Sequence, residues 1–143
     1  MKHKSRGATT VEFALALLIF LTFLLGIVDF SRMLFTWNAA NLATLAGARY
    51  AVVCDDTGQQ AAVLAKMQQL LPQITAVTTT WTPPSCTPAT CEGVTVSITG
   101  LNYKWISPIA GVASRAAFAM PQFSTFLPRE MMRQDPNSAA ICG

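Results

Sequence analysis

The chain has 143 residues, 52% of them apolar and only 12% charged, with ten Lys and Arg against seven Asp and Glu. That length holds a single domain plus an anchor and leaves no room for a second large core. Lys2, Lys4 and Arg6 supply the whole positive excess, so residues 8–143 carry seven charges of each sign; the basic balance belongs to the N-terminus and points to no nucleic-acid partner.

The first element is a short basic leader, Met1 to Arg6, followed by Gly7, the run Ala8-Thr9-Thr10-Val11, and then Glu12. Residues 13–28 contain no charge and are interrupted only by Thr22 and Gly26. A membrane helix needs about 20 apolar residues, and residues 11–30 reach that length with Glu12 and Asp29 near the two ends. Positive residues are retained in the cytoplasm, so the leader predicts an N-in orientation with the remainder outside the cytoplasm. A cleaved secretory signal has a similar basic and apolar layout. Its cut site is missing, because the nearest persuasive small-x-small triplet, Ala46-Gly47-Ala48, lies far beyond the apolar run. A retained membrane helix is therefore expected. Glu12 is the odd residue: a carboxylate within a bilayer costs kilocalories unless something pairs with it.

No proline occurs in residues 8–53, and Gly26 and Gly47 are isolated, so one helix is predicted to continue past the membrane segment. Asp29 and Arg32, three apart, can pair on one helical face. Ala39, Ala43, Gly47 and Ala51 recur every four residues, a small-residue face that lets another backbone approach closely. That neighbour is either a second helix of an assembly or the protein's own domain. From Ala43 onward the second is expected, with Leu42, Leu45 and Tyr50 as the accompanying core face.

A second helix is predicted over 57–71, opened by a capping-box pair, Asp56 and Gln59, and stopped by Pro72. Thr-rich residues 74–82, with Val77 and Trp81, read as a strand, and a Pro-containing loop follows. Residues 93–105 alternate through Val94, Val96 and Ile98 as a second strand with an irregularity at Gly100. Residues 116–120 fit a third strand or a short helix, and the tail from Pro128 is mixed and polar. The expected fold is α+β: a long N-terminal membrane and spine helix, a second helix and a small antiparallel sheet. Its divisions are a leader at 1–7, the long helix at 8–53 (11–30 in the membrane) and an extracytoplasmic domain at 54–143.

Cys54, Cys86, Cys91 and Cys142 all fall on the side that N-in topology places outside the cytoplasm, where an even number favours disulfides. Four cysteines allow three connectivities. Pairing Cys86 with Cys91 closes the shortest loop at the least entropic cost, leaving Cys54 for Cys142. A zinc or redox site lacks both a CxxC and a histidine after the leader, and no metal or other cofactor is expected.

Candidates for catalysis are few. His3, in the leader, is the only histidine, which leaves no His-assisted nucleophile outside the membrane. Adjacent Asp55 and Asp56 fit a helix start favoured by the dipole, and Glu92 and Glu130 are isolated. Met120, Met131 and Met132 fit packing roles; Arg129, Glu130 and Arg133 fit a solvated turn or helix face. Trp81, Tyr103 and Trp105 would make either a carbohydrate platform or core aromatics, the latter being expected. No enzyme activity is predicted.

A basic leader, a glycine, a carboxylate five residues later and then apolar sequence resembles a type IV prepilin N-terminus. Three blocks sharpen the resemblance: Arg6-Gly7-Ala8-Thr9-Thr10-Val11-Glu12-Phe13-Ala14-Leu15, Gly26-Ile27-Val28-Asp29-Phe30-Ser31-Arg32, and Ala46-Gly47-Ala48-Arg49-Tyr50-Ala51. Together they are similar to the TadE-like family, pseudopilins of the tight-adherence (Tad/Flp) pilus machinery. Leu18 stands about where that family has a proline, and Thr44-Leu45-Ala46 is less polar than its usual counterpart. The resemblance implies cleavage of the Gly7–Ala8 bond by a prepilin peptidase. It also implies that Glu12 serves recognition and assembly, pairing with the α-amine of Ala8 on a neighbouring subunit. The expected function is that of a minor pseudopilin in the inner membrane, promoting pilus assembly, adherence or biofilm formation. Its implied partners are the peptidase, other pilins and pseudopilins, and inner-membrane platform proteins. The alternatives are a type II secretion pseudopilin, a major pilin, an uncleaved membrane-anchored adhesin or binding module, and an envelope thiol enzyme with a free cysteine.

Overall fold

Uninterrupted helix-compatible sequence from the leader onward becomes one helix, α1, Arg6–Cys54, of 49 residues. The structure, a computed structural model, describes residues 6–54, 60–87, 90–106, 118–129 and 142. Their contacts divide into two compact units: Met1–Leu34 with Lys104–Ala117, and Phe35–Tyr103 with Phe118–Gly143. α1 contributes to both.

In the first unit, α1 presents apolar side chains on all sides. Fourteen large ones between Val11 and Phe30 are exposed, and the helix is long and apolar enough to cross a membrane. Its polar side chains stay compatible with that role by bonding back to the helix. The hydroxyl of Thr22 donates to the Ile19 carbonyl at 2.6 Å and that of Ser31 to the Ile27 carbonyl at 2.8 Å, so neither presents an unsatisfied hydroxyl to an apolar solvent.

In the second unit, α2 (Gln60–Gln68) follows, with Val63 and Met67 buried. It ends one turn before the predicted limit at 71. The amides of Leu70 and Leu71 both donate to the Met67 carbonyl, closing a turn ahead of Pro72, which has no amide to continue the ladder. Leu71 and Ile74 are buried beyond that turn, and the Gln68 side-chain amide donates to the Ile74 carbonyl at 2.9 Å. The predicted start and the Asp56–Gln59 box lie outside the described residues.

β1 (Ala76–Thr82), β2 (Gly93–Thr99) and β5 (Phe123–Pro128) form an antiparallel sheet in the order β1-β2-β5. β3 (Asn102–Tyr103) and β4 (Phe118–Ala119) pair separately. The single strand expected over 93–105 is thus two, broken at Gly100, whose φ of 77° takes the chain out of the extended region. β5 has no counterpart among the predicted elements. Its register places Phe123 opposite Ile98, Thr125 opposite Val96 and Leu127 opposite Val94. Across β2 the same rows continue to Val77, Thr79 and Trp81. Nine side chains therefore share one face, with Val77, Val94, Val96, Ile98 and Phe123 buried. The opposite face is mostly hydroxyl: Thr78, Ser97 and Ser124 form one row. Phe126 also lies there, its ring so close over Gly93 that a Cβ at Gly93 would sit 2.6 Å from it.

α1 covers the inner face of the sheet. Trp37 meets Phe123 edge to face, with ring centroids 5.1 Å apart. Thr44 is fully buried and donates to the Asn41 carbonyl at 2.8 Å; with its one proton so used, it accepts from the Thr125 hydroxyl at 2.8 Å. Ala39, Ala43, Gly47 and Ala51 are all buried in this unit. The small-residue stripe is therefore occupied by the protein's own domain. Leu42, Leu45 and Tyr50 depart from expectation. Leu42 is 62% exposed, and the other two are only half-buried, because residues of minimal size, not the large ones, let α1 approach α2 and the sheet.

Gly47 shows the closeness of that approach. A Cβ there would lie 2.6 Å from Met67 Sδ and 3.3 Å from Val63 Cγ1. Gly47→Val is expected to destabilise the domain by about 1–3 kcal/mol, the usual cost of overpacking, although valine is the better helix former. Thermal denaturation of the variant checks this, and an unchanged or raised midpoint contradicts the packing described.

Candidate functional site

Gly7, Ala8 and Glu12 lie within α1, and all three are exposed. The Thr10 hydroxyl donates to the Gly7 carbonyl at 2.9 Å, so the Gly7–Ala8 peptide is held in a helical turn. Nothing lies within 4 Å of where a Cβ on Gly7 would stand; the fold itself does not require glycine there. Glu12 makes no ion pair or hydrogen bond among the described residues. An exposed carboxylate on an apolar helix with no partner among the described residues is chemically suited to receive a cation from another chain.

Asp29 differs from Glu12 in every respect. It is 1% exposed, between exposed Val28 and Phe30. Its Oδ1 lies 3.5 Å from Arg32 Nη1 and accepts the backbone N–H of Ile106 at 3.1 Å. The i,i+3 spacing made the arginine legible. The Ile106 amide, 77 residues away in sequence, left no sequence signal.

The aromatic platform does not form. Tyr103 is buried, and Trp81 stands on the inner row of the sheet beside Val94. Met120 is also buried. Met131, Met132, Glu130, Arg133, Asp55 and Asp56 lie outside the described residues. A different surface appears where Leu42, Leu45, Arg49 and Tyr50 of α1 face Lys66 and Leu70: an open groove of about 490 Å3. Neither Arg49 nor Lys66 has an ion pair among the described residues. Sequence reasoning missed this surface because it assigned the apolar members to the core.

All four cysteines are paired, Cys54 with Cys142 and Cys86 with Cys91, with Cα separations of 5.4 and 5.1 Å. The first bond joins the last residue of α1 to a residue 88 positions later; the second staples the loop between β1 and β2. No cysteine is left as a free thiol.

These features define a class: a small disulfide-bonded α+β domain carried on a helix that is a candidate membrane anchor. Residues 7–49 match the family model described as TadE-like protein. That segment is less than a third of the chain, and over it the chain is similar to the TadE-like family. It contains Gly7, Ala8, Glu12, Asp29, Arg32, Ala39, Ala43 and Gly47, and none of α2, the sheet or the cysteines. No curated protein and no solved structure matches the chain.

The two disulfides should contribute unequally. In the chain-entropy account, the long closure contributes about 4–5 kcal/mol and the short one about 2 kcal/mol. Denaturant unfolding of Cys54→Ser/Cys142→Ser should therefore show the larger loss, and Cys86→Ser/Cys91→Ser the smaller. The reverse order contradicts the assignment of the long bond as the principal staple.

Proposed function

We propose that the chain is a minor pseudopilin of a Tad-type pilus machine, cleaved by a prepilin peptidase between Gly7 and Ala8 and acting in pilus assembly. The observation that carries the reading is Glu12. It is a carboxylate five residues after Gly7, on an apolar helix similar to the TadE-like family, and it has no partner among the described residues. Cleavage would create a cation at Ala8, and Glu12 of one subunit would meet that amine on the next. A charged residue within a membrane helix is costly unless paired, so the pairing relieves a penalty that nothing among the described residues compensates.

The basic leader favours a cytoplasmic N-terminus and an extracytoplasmic domain, and two disulfides suit that compartment. The partners are then the peptidase, other pilins and pseudopilins, and platform proteins of the inner membrane. The domain beyond residue 54 adds bulk to the N-terminal helix, which favours a minor position at the base or tip over a bulk filament subunit. Its role is structural, with adherence and biofilm formation as downstream consequences of assembly.

Two substitutions separate cutting from assembly. Gly7→Ala meets no steric obstacle in the chain and replaces glycine by the better helix former, so its domain should melt as the wild type does while the leader stays attached. Glu12→Gln keeps the shape and removes the charge. It should fold and insert, yet restore few or no surface pili to cells lacking the protein. Wild-type piliation with Glu12→Gln, counted by electron microscopy, contradicts the charge-pairing role.

A further inference from the structure

The short segment Lys104-Trp105-Ile106 belongs to the unit that holds the apolar part of α1, not to the sheet it follows in sequence. Its attachment there is specific: the Ile106 amide donates to Asp29 Oδ1 at 3.1 Å. That carboxylate is buried despite its place on a helix whose neighbouring side chains are exposed. Ile106 is 64% exposed and Trp105 36% exposed. On α1, exposed Ile27, Val28, Phe30 and Leu34 flank the attachment point. A partly exposed tryptophan and an exposed isoleucine, next to a lysine and attached at the end of the apolar stretch of α1, have the chemistry of the membrane–water interface. There an indole ring spans the boundary and a lysine reaches for water while its stem lies along apolar surface.

We propose that Lys104–Ile106 is a second membrane contact, an interfacial foot pinned to α1 by Asp29 that rests Trp105 and Ile106 in the outer boundary of the bilayer. The occupant is a lipid bilayer, because the foot is continuous with the apolar surface of α1 and carries a single cation and no acid. Asp29 acts as a positioning residue: it supplies an acceptor for the Ile106 amide, and Arg32 beside it balances the charge. Pinning at Asp29 fixes how far α1 sits in the membrane, since the foot and the helix enter the boundary together.

The inference rests on the reading of α1 as a membrane helix, and the test distinguishes the two. The full chain, with Trp37→Phe and Trp81→Phe leaving Trp105 as the only tryptophan, is reconstituted in phosphatidylcholine–phosphatidylglycerol vesicles. The lipids are brominated either near the carbonyl end or near the methyl end of the acyl chains. Trp105 fluorescence should be quenched by the shallow label and scarcely by the deep one. A companion chain with Trp105→Phe and Leu21→Trp reports on α1 and should be quenched by the deep label. Deep quenching at position 21 with no lipid quenching of Trp105 overturns the foot and leaves the membrane helix standing; quenching at neither position overturns both. Asp29→Ala removes the acceptor and should abolish most shallow quenching of Trp105, whereas Asp29→Asn, which keeps an acceptor oxygen, should retain it. Shallow quenching unchanged in Asp29→Ala overturns the pinning role.

Discussion

One helix carries two different surfaces, an exposed apolar one and a small-residue one, and the rest of the molecule follows from that constraint. Fourteen large apolar side chains between Val11 and Phe30 are exposed on α1. They are 39–71% exposed and so forgo much of the roughly 1.5–3 kcal/mol that full burial of each would contribute. No other part of the described chain covers them, which makes this stretch of α1 a candidate membrane anchor. Past Leu34 the same helix changes character: its buried face is Ala39, Ala40, Ala43, Thr44, Gly47, Ala48 and Ala51, and a folded domain is its solvent.

The change of character explains why the domain can be small. Residues of minimal size let α2 and the sheet close directly onto the helix, as the position of Met67 over Gly47 shows. The large side chains of the core come from the middle strand (Val94, Val96, Ile98), from Phe123 beside it, and from α2 and the turns and short strand around it (Val63, Met67, Leu71, Ile74, Leu101, Tyr103). A core of this size is marginal for a domain of under a hundred residues. The bond from Cys54 to Cys142 offsets that deficit by restraining the unfolded chain over nearly its whole length after α1.

What the sequence made legible follows the range of the interactions. Periodicity and the absence of proline announced α1, and the alternation of Val94, Val96 and Ile98 announced β2. The disulfide pairing followed from loop length. Phe123, Thr125 and Leu127 alternate as well, yet Ser124, Phe126 and Pro128 blur the pattern, so β5 emerged only through its register with β2. Leu42, Leu45 and Tyr50 misled because size suggested burial, when proximity required alanine and glycine. The Ile106–Asp29 bond and the Thr44–Thr125 bond join residues 77 and 81 positions apart; each is a consequence of topology, which no local pattern encodes. At the N-terminus the position is reversed. Gly7 and Glu12 are conspicuous in sequence, yet Glu12 makes no ion pair or hydrogen bond among the described residues and nothing stands within 4 Å of a Cβ at Gly7.

The central claim is that the N-terminus is remade after synthesis so that Glu12 acquires a partner. The most direct measurement is the intact mass and N-terminal residue of the chain isolated from membranes of cells with and without the prepilin peptidase. The account predicts a chain beginning at Ala8 when the peptidase is present and one retaining Met1 through Gly7 when it is absent. A leader that survives intact alongside active peptidase would contradict it and leave a membrane-anchored domain with an unprocessed N-terminus.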